Sequence, residues 1–177
     1  MYSIFKVFPE INTERLSLRQ LNTDDADVIF KLRSNKEINK FISRKTPKTL
    51  EEAADFIAVC HQEFEKKNRI FWAIELKETK QVIGTIVYHN ISLKNKYAEI
   101  GYELHPTFHQ KGLMNEAMQA VLEFGKTTFQ LKITEAFTHQ NNKASIALLE
   151  KHQFVFQPER KDEGFENNRI FRLQLNQ

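Results

Sequence analysis

Cysteine is almost missing from this sequence: Cys60 is the only one in 177 residues. A lone thiol excludes an intramolecular disulfide and suits a reducing, cytoplasmic setting. It falls inside a helical pattern, where buried filler is the expected role rather than nucleophile. Glycine and proline are scarce, five and four residues, and no Pro/Gly/Ser linker, internal repeat or low-complexity tract divides the chain. One domain over residues 1–177 is the expectation. No apolar run approaches the ~20 residues of a membrane helix. The first residues carry Lys6 and Glu10 and no small-residue cleavage site, so no signal peptide is expected. An excess of one charge is lacking too. Lys and Arg number 26 against 23 Asp and Glu, a net charge of +3. That balance leaves no basic stripe for nucleic acid, only mild attraction for an anionic ligand.

What is present is the material of a soluble, packed core: 41% hydrophobic residues, fifteen of them Phe, against 28% charged. Leucines alternate with polar residues from Arg15 to Leu21, a strand pattern. Asn22-Thr23-Asp24-Asp25 offers cap residues for a helix to about Arg33, and a second short helix is expected around Lys36 to Phe41. Thr49-Leu50-Glu51-Glu52 matches a capping box. Behind it Leu50, Ala53, Ile57, Cys60 and Phe64 share a helical face. Three strands follow, Ile70–Glu75, Gln81–His89 and Tyr97–Leu104, joined by turns short enough to make them antiparallel. From Gly112 the period becomes helical: Met114, Ala117, Met118, Val121, Leu122 and Gly125 fall on one face. Lys132–Thr138 reads as strand, Asn142–His152 as helix, and Phe154–Phe156 and Arg169–Leu175 as closing strands. A meander followed by strand, helix, strand predicts a mixed sheet with packed helices, an α+β class.

One stretch, HPTFHQKGLMNEA from His105 to Ala117, places a scarce glycine where a strand gives way to a helix. A helix N-terminus carries unpaired N–H groups and partial positive charge. After a loop, such groups make an anion cradle, and glycine lets backbone approach a phosphate closely. Lys111 adds full charge. A plain strand-to-helix turn would use the same glycine. Gly101, inside the preceding strand, marks a bulge or a close approach.

With these pieces in order, TERLSLRQL, AEIGYELHPTFHQKGLMNEA and NNKASIALLEKHQF, the chain resembles the GNAT superfamily of acyl-CoA-dependent N-acetyltransferases, and within it the RimJ/RimL type, over about residues 12–175. The resemblance implies a GNAT fold: a mostly antiparallel sheet splayed in the middle, with helices on both faces. It implies acetyl-CoA as co-substrate, with no metal. The pyrophosphate loop would be His109, Gln110, Lys111, Gly112, Leu113 and Met114, with His109 and Met114 departing from the family's Arg/Gln and small residue. Asn142 would hold the pantetheine arm, which would pair with backbone near Tyr102 and Leu104.

Transfer to an amine needs a proton acceptor, since amines are mostly ammonium at pH 7, and a proton for the departing thiolate. Glu103 ends the strand nearest the splay and is the first choice of base, with Glu99, two strand repeats back on the same face, and His105 as alternatives. The family's Tyr acid position is occupied by Leu149, so Ser145, one turn earlier, is the expected acid. The carboxylate some N-terminal acetyltransferases carry on the preceding strand would fall at Phe137. The expected reaction is acetyl transfer to a primary amine, a protein N-terminus among the candidates. The alternatives are a small amine (polyamine, amino acid or antibiotic) or a CoA-binding module without turnover. Helices over about residues 24–66 and the charged segment 157–168 are expected to choose the acceptor, the latter as a lid. Oligomeric state is left open, a dimer among the options.

Overall fold

Alternating leucines and β-branched runs become eight strands: β1 (Ile11–Asn12), β2 (Leu16–Gln20), β3 (Ile70–Leu76), β4 (Val82–Ser92), β5 (Tyr97–Leu104), β6 (Ile133–His139), β7 (Val155–Phe156) and β8 (Asn168–Gln174). Four helices accompany them: α1 (Ala26–Ser34), α2 (Leu50–Glu65), α3 (Leu113–Thr127) and α4 (Lys143–Lys151). The computed structural model describes residues 5–175. Met1 to Ile4, where the leader reading starts, lie outside the described residues.

The strands form one sheet in the order β1-β2-β3-β4-β5-β6-β8-β7. Every neighbouring pair is antiparallel except β5 with β6. Strand alternation then sorts the core into two layers. Trp72, Ile74, Ile86, Tyr88 and Ile100 pack with Leu113, Ala117, Met118 and Val121 of α3. Phe71, Ala73 and Val82 pack on the opposite side, with Ile29 of α1 and Ala53, Ile57 and Cys60 of α2. Cys60 is buried and burial pushes its thiol up to about 12, so it stays a neutral filler. Helices therefore cover both faces of a mixed α+β sheet.

Local chemistry explains the helix starts. Before α1, Asn22 Oδ1 accepts from Asp24 N at 2.9 Å and Asp25 Oδ2 accepts from Asn22 N at 2.8 Å, a reciprocal cap. At α2, Thr49 Oγ1 accepts from Glu52 N, but Glu52 Oε2 takes Lys48 N, one residue before the cap, so the expected box does not close on Thr49. Leu50 departs from the expected apolar face: it is the first residue of α2, ahead of the turn where that face meets the sheet, and is 52% exposed. The expected short helix at Lys36–Phe41 is a 3-10 turn, Ile38–Phe41, closed by i→i+3 bonds such as Ile42 N to Asn39 O at 3.1 Å.

Gly125 fixes how closely α3 meets the sheet. A Cβ there would stand 2.5 Å from the Tyr88 hydroxyl and 3.1 Å from Leu131 Cδ1. Tyr88 is fully buried and its hydroxyl donates to Val121 O at 3.2 Å. Gly125→Ala is therefore expected to lower unfolding free energy by about 1–3 kcal/mol through overpacking, read by urea denaturation. An unchanged midpoint would show that α3 can lift without cost.

Candidate active site: an open seam between two parallel strands

Parallel pairing of β5 and β6 covers three rungs only: Tyr97 with Ile133, Ala98 with Thr134, Glu99 with Glu135. Beyond them β5 continues to Leu104 on β4, and β6 continues to His139 on β8. The two strands part at this point. The gap opens into a cleft of about 580 Å³, walled by Ile100, Gly101 and Tyr102 on one side and Ala136, Phe137 and Thr138 on the other. Asn142 and Ser145 of the α4 end also face it, as do Asn39–Ser43 and part of the 162–168 segment.

The segment after β5 supplies a cradle of donors. Among the described residues, the backbone N–H groups of Gln110, Lys111, Gly112, Leu113 and Met114 have no acceptor. Gly112 caps α3 at φ +74°, in the left-handed region, and Gln110 is also left-handed at φ +59°. Arg15, in the turn before β2, clamps this loop: its Nη1 donates to Lys111 O at 2.9 Å and its Nε to Glu116 Oε2 at 2.7 Å. Thr13 Oγ1 and Arg15 N both donate to Glu116 Oε1, at 2.6 and 2.8 Å. Burial pushes the Glu116 carboxyl up, but these donors together hold it below its ordinary range. His109 is tied back, its Nε2 donating to Leu104 O at 2.9 Å. Lys111 is exposed, with Nζ 5.3 Å from the Phe108 ring centroid. Met114 packs against the main core.

Asn142 is the N-cap of α4, its Oδ1 accepting from Ser145 N at 3.2 Å. The cap uses only the carbonyl end, so among the described residues the Asn142 amide Nδ2 is uncommitted. Ser145 Oγ is 2.8 Å from the Tyr102 hydroxyl, joining α4 to β5 across the seam. Burial pushes the Tyr102 phenol up to about 12, with the Ser145 hydrogen bond pulling the other way, so it stays protonated. Leu149, at the position read as a vacant tyrosine, is fully buried. The phenol at this site thus comes from a strand residue whose backbone alone was singled out in the sequence.

On the other sheet face the candidate carboxylates are differently engaged. Glu103 is buried; its Oε2 lies 2.5 Å from Arg44 Nη1 and its Oε1 accepts from Thr85 Oγ1 at 3.3 Å. Glu99 Oε1 accepts from the Tyr97 hydroxyl at 3.0 Å, and its Oε2 lies 3.6 Å from His89 Nδ1. Glu135 is buried beneath Tyr97, Arg160 and Arg172. His105 lies outside this group, its Nδ1 accepting from Thr107 N at 3.3 Å. Arg15, Arg44 and His89 were not singled out in the sequence. Arg15 and Arg44 meet their partners across several intervening strands and helices and His89 meets Glu99 across the β4–β5 pair, and no spacing rule signals that. Among the described residues no helix is long and apolar enough to cross a membrane, and no group of three His, Cys, Asp or Glu side chains is placed to hold a metal ion.

A splayed parallel pair beside a glycine-capped donor loop has the chemistry to receive an anionic group at the loop and an extended arm along a free strand edge. Comparison with known proteins gives the family. Residues 15–155 match the family model "Acetyltransferase (GNAT) domain". An uncharacterized N-acetyltransferase of Bacillus subtilis (strain 168), YoaA, is 34% identical over 148 residues, 84% of each chain. A ribosomal-protein-S5-alanine acetyltransferase from Vibrio fischeri superposes with TM-score 0.82 at 18% identity, covering 95% of this chain and 97% of that one. RimL, a ribosomal L7/L12 α-N-protein acetyltransferase solved with coenzyme A, superposes with TM-score 0.82 at 17% identity, covering 94% and 98%. The chain belongs to the GNAT acetyltransferase family and is an acetyl-CoA-dependent N-acetyltransferase.

Proposed function

We propose that the acceptor is the α-amine of an extended protein N-terminus. The observation that carries this reading is the acceptor side of the cleft. Asn39, Asn167 and Asn168 line it, with Ser43 and the bare backbone of Gly164. Asn39 is tied at both ends, to Arg33 O and Arg44, but among the described residues the Asn167 amide nitrogen and the Asn168 amide oxygen stay free beside the Gly164 backbone, a donor and an acceptor of the kind that match a peptide main chain. RimL and the Vibrio fischeri protein, which share this fold, are named for ribosomal proteins, in keeping with it.

Acetyl-CoA supplies the activated thioester. The N–H groups of residues 110–114 hold its pyrophosphate, Asn142 Nδ2 donates to the pantetheine arm, and the free edge of β5 near Tyr102 and Leu104 aligns it. The Leu104 carbonyl is already taken by His109, so the strand offers the arm its other unpaired groups. Amine nitrogen bonds to the acetyl carbon, the carbon–sulfur bond breaks, and the sulfur takes a proton. Tyr102 and Ser145 together form the donor for that proton, with Ser145 in the acid role and the phenol behind it.

Thiol release from acetyl-CoA tests both points. Alanine- and serine-initiated peptides should give a higher kcat/KM than spermidine or free amino acids. Faster release with spermidine or an amino acid sinks the peptide reading and selects a small amine. With the best acceptor, Ser145→Ala and Tyr102→Phe should each lower kcat up to about tenfold while leaving KM for acetyl-CoA within about threefold, since water replaces a lost hydroxyl in part. Unchanged kcat in both variants would remove the pair from the mechanism.

A further inference from the structure

The proton on the attacking amine still lacks an acceptor. Glu103, the choice made from the sequence, accepts from Thr85 at Oε1 and stands in a buried ion pair with Arg44 at Oε2, an oxygen that makes no hydrogen bond. Taking a proton would mean giving up a buried ion pair. Glu135 is committed to Arg160, Arg172 and Tyr97. His105 lies past the strand end with its Nδ1 in use.

A second recess, about 360 Å³, opens from the cleft on the acceptor face of the sheet. It shares Ile100, Gly101, Phe137 and Asp162 with the cleft and adds His89 and Glu99. His89 on β4 is the register partner of Glu99 on β5, so the two side chains share a face. Their 3.6 Å separation is ion-pair range rather than a hydrogen bond. The other ring nitrogen, Nε2, looks over Gly101: a Cβ built there would stand 3.9 Å from it. Gly101 lies two residues past Glu99, where β5 has just lost its β6 partner. No side chain at 101 stands between the cleft and His89 Nε2, Val87 Cγ1 being the one nearer neighbour at 3.2 Å from the same Cβ position, and among the described residues no group bonds that nitrogen.

We propose that His89, oriented by Glu99 and reached across Gly101, is the catalytic residue that takes the proton from the attacking amine. This rests on the acetyl-transfer reading above. As the nitrogen–carbon bond forms, the amine proton passes to His89 Nε2. As the carbon–sulfur bond breaks, the Tyr102–Ser145 pair protonates the sulfur. His89 then returns its proton to solvent through the recess, and the pair is reprotonated from the cleft. Glu99 acts through His89 and is a positioning residue. The charged and titratable groups facing His89 are Glu99 from β5, Arg69 from the segment before β3, and Asp162 across the recess, with Tyr97 and Glu135 behind Glu99. Burial lowers the His89 imidazole from its ordinary 6.5, Glu99 opposes that and Arg69 adds to it. At neutral pH the ring is therefore unprotonated and competent as a base.

The test uses the whole protein with three probes, an alanine-initiated peptide, a serine-initiated peptide and spermidine. With the fastest, His89→Gln should lower kcat at least about tenfold, leave calorimetric acetyl-CoA affinity within about twofold, and abolish the acid limb of the kcat–pH profile. Glu99→Gln should move that limb to lower pH, because the carboxylate that favours the protonated ring is gone. Full kcat, or an unmoved acid limb, in folded His89→Gln overturns the proposal, and loss of that limb in Glu103→Gln instead returns the role to Glu103. Imidazole NMR provides an arm that needs no turnover. The resonance that vanishes in His89→Gln should titrate at lower pH in Glu99→Gln. A titration unmoved by Glu99→Gln overturns the dyad. If the wild type transfers to none of the three probes while binding acetyl-CoA, the peptide reading has failed, and the NMR arm still decides the dyad.

Discussion

Gly112→Asp is expected to weaken acetyl-CoA binding at least about thirtyfold, ~2 kcal/mol, in calorimetry. Two effects add. Gly112 sits at φ +74°, where a Cβ costs about 1–2 kcal/mol. An aspartate also brings negative charge to the mouth of the N–H cradle, where the pyrophosphate would lie. Arg15 moderates the second effect, since a Cβ at 112 would stand 3.5 Å from its Nη2, and the new carboxylate would compete with Glu116 for that guanidinium. Gly112→Ala separates the terms, carrying the strain without the charge, and should lose less affinity than the aspartate. Equal losses would assign the whole effect to backbone strain. No loss in either folded variant would mean that the loop does not hold the phosphates.

Glu135→Ala should lower unfolding free energy by about 3 kcal/mol, the scale of breaking a buried ion pair, and Tm by about 6–12 °C for a chain of this size. Glu135 is fully buried at the last paired rung of β5 and β6, and it gathers Arg160, Arg172 and Tyr97 from three different segments. Arg160 and Arg172 keep 41% and 33% of their side chains exposed, so water recovers part of their loss and holds the estimate at the low end of the range. Burial pushes the Glu135 carboxyl up, but Arg160, Arg172 and Tyr97 outweigh it and hold it below its ordinary 4.5. A depressed carboxyl stabilises the fold above its unfolded value and loses that contribution as pH falls through the folded one. The difference in Tm between wild type and variant should therefore be full at pH 7 and shrink below about pH 4.5. A difference of under about 2 °C at pH 7 would show that the cluster is not what closes the seam.

Much of the fold was legible because it rests on local rules. Leucine alternation located β2, the helical period located α3, and Gly112 at a strand-to-helix junction located the donor loop. The same rules failed where position in the layer mattered. Leu50 fits the apolar spacing of α2 yet stands outside the sheet, because spacing records direction around a helix and not distance from the core. The candidate site was legible where backbone and a glycine shape it, at the loop before α3. It was less so where side chains meet across the sheet. Arg44 reaches Glu103 from the connection before α2, and His89 meets Glu99 only once the β4–β5 register is known. Neither pairing leaves a trace in spacing along the chain.

The three-rung seam has a mechanical consequence. Among the described residues, β6, β7 and β8 are strand-paired to the rest of the sheet only where Tyr97–Glu99 meets Ile133–Glu135, whereas β4 and β5 pair along most of their length. Only the edge pairs β1–β2 and β7–β8 have shorter ladders, and neither divides the sheet, so sub-global opening that parts the sheet should begin here, with the C-terminal unit swinging as one cooperative body about the Glu135 cluster. An acyl-CoA laid along the seam would add a strand-like partner to both lips and couple the two bodies. Cofactor loading would then set the stiffness of the whole sheet, and amides far from the cleft, on β8, would exchange more slowly once the seam is filled.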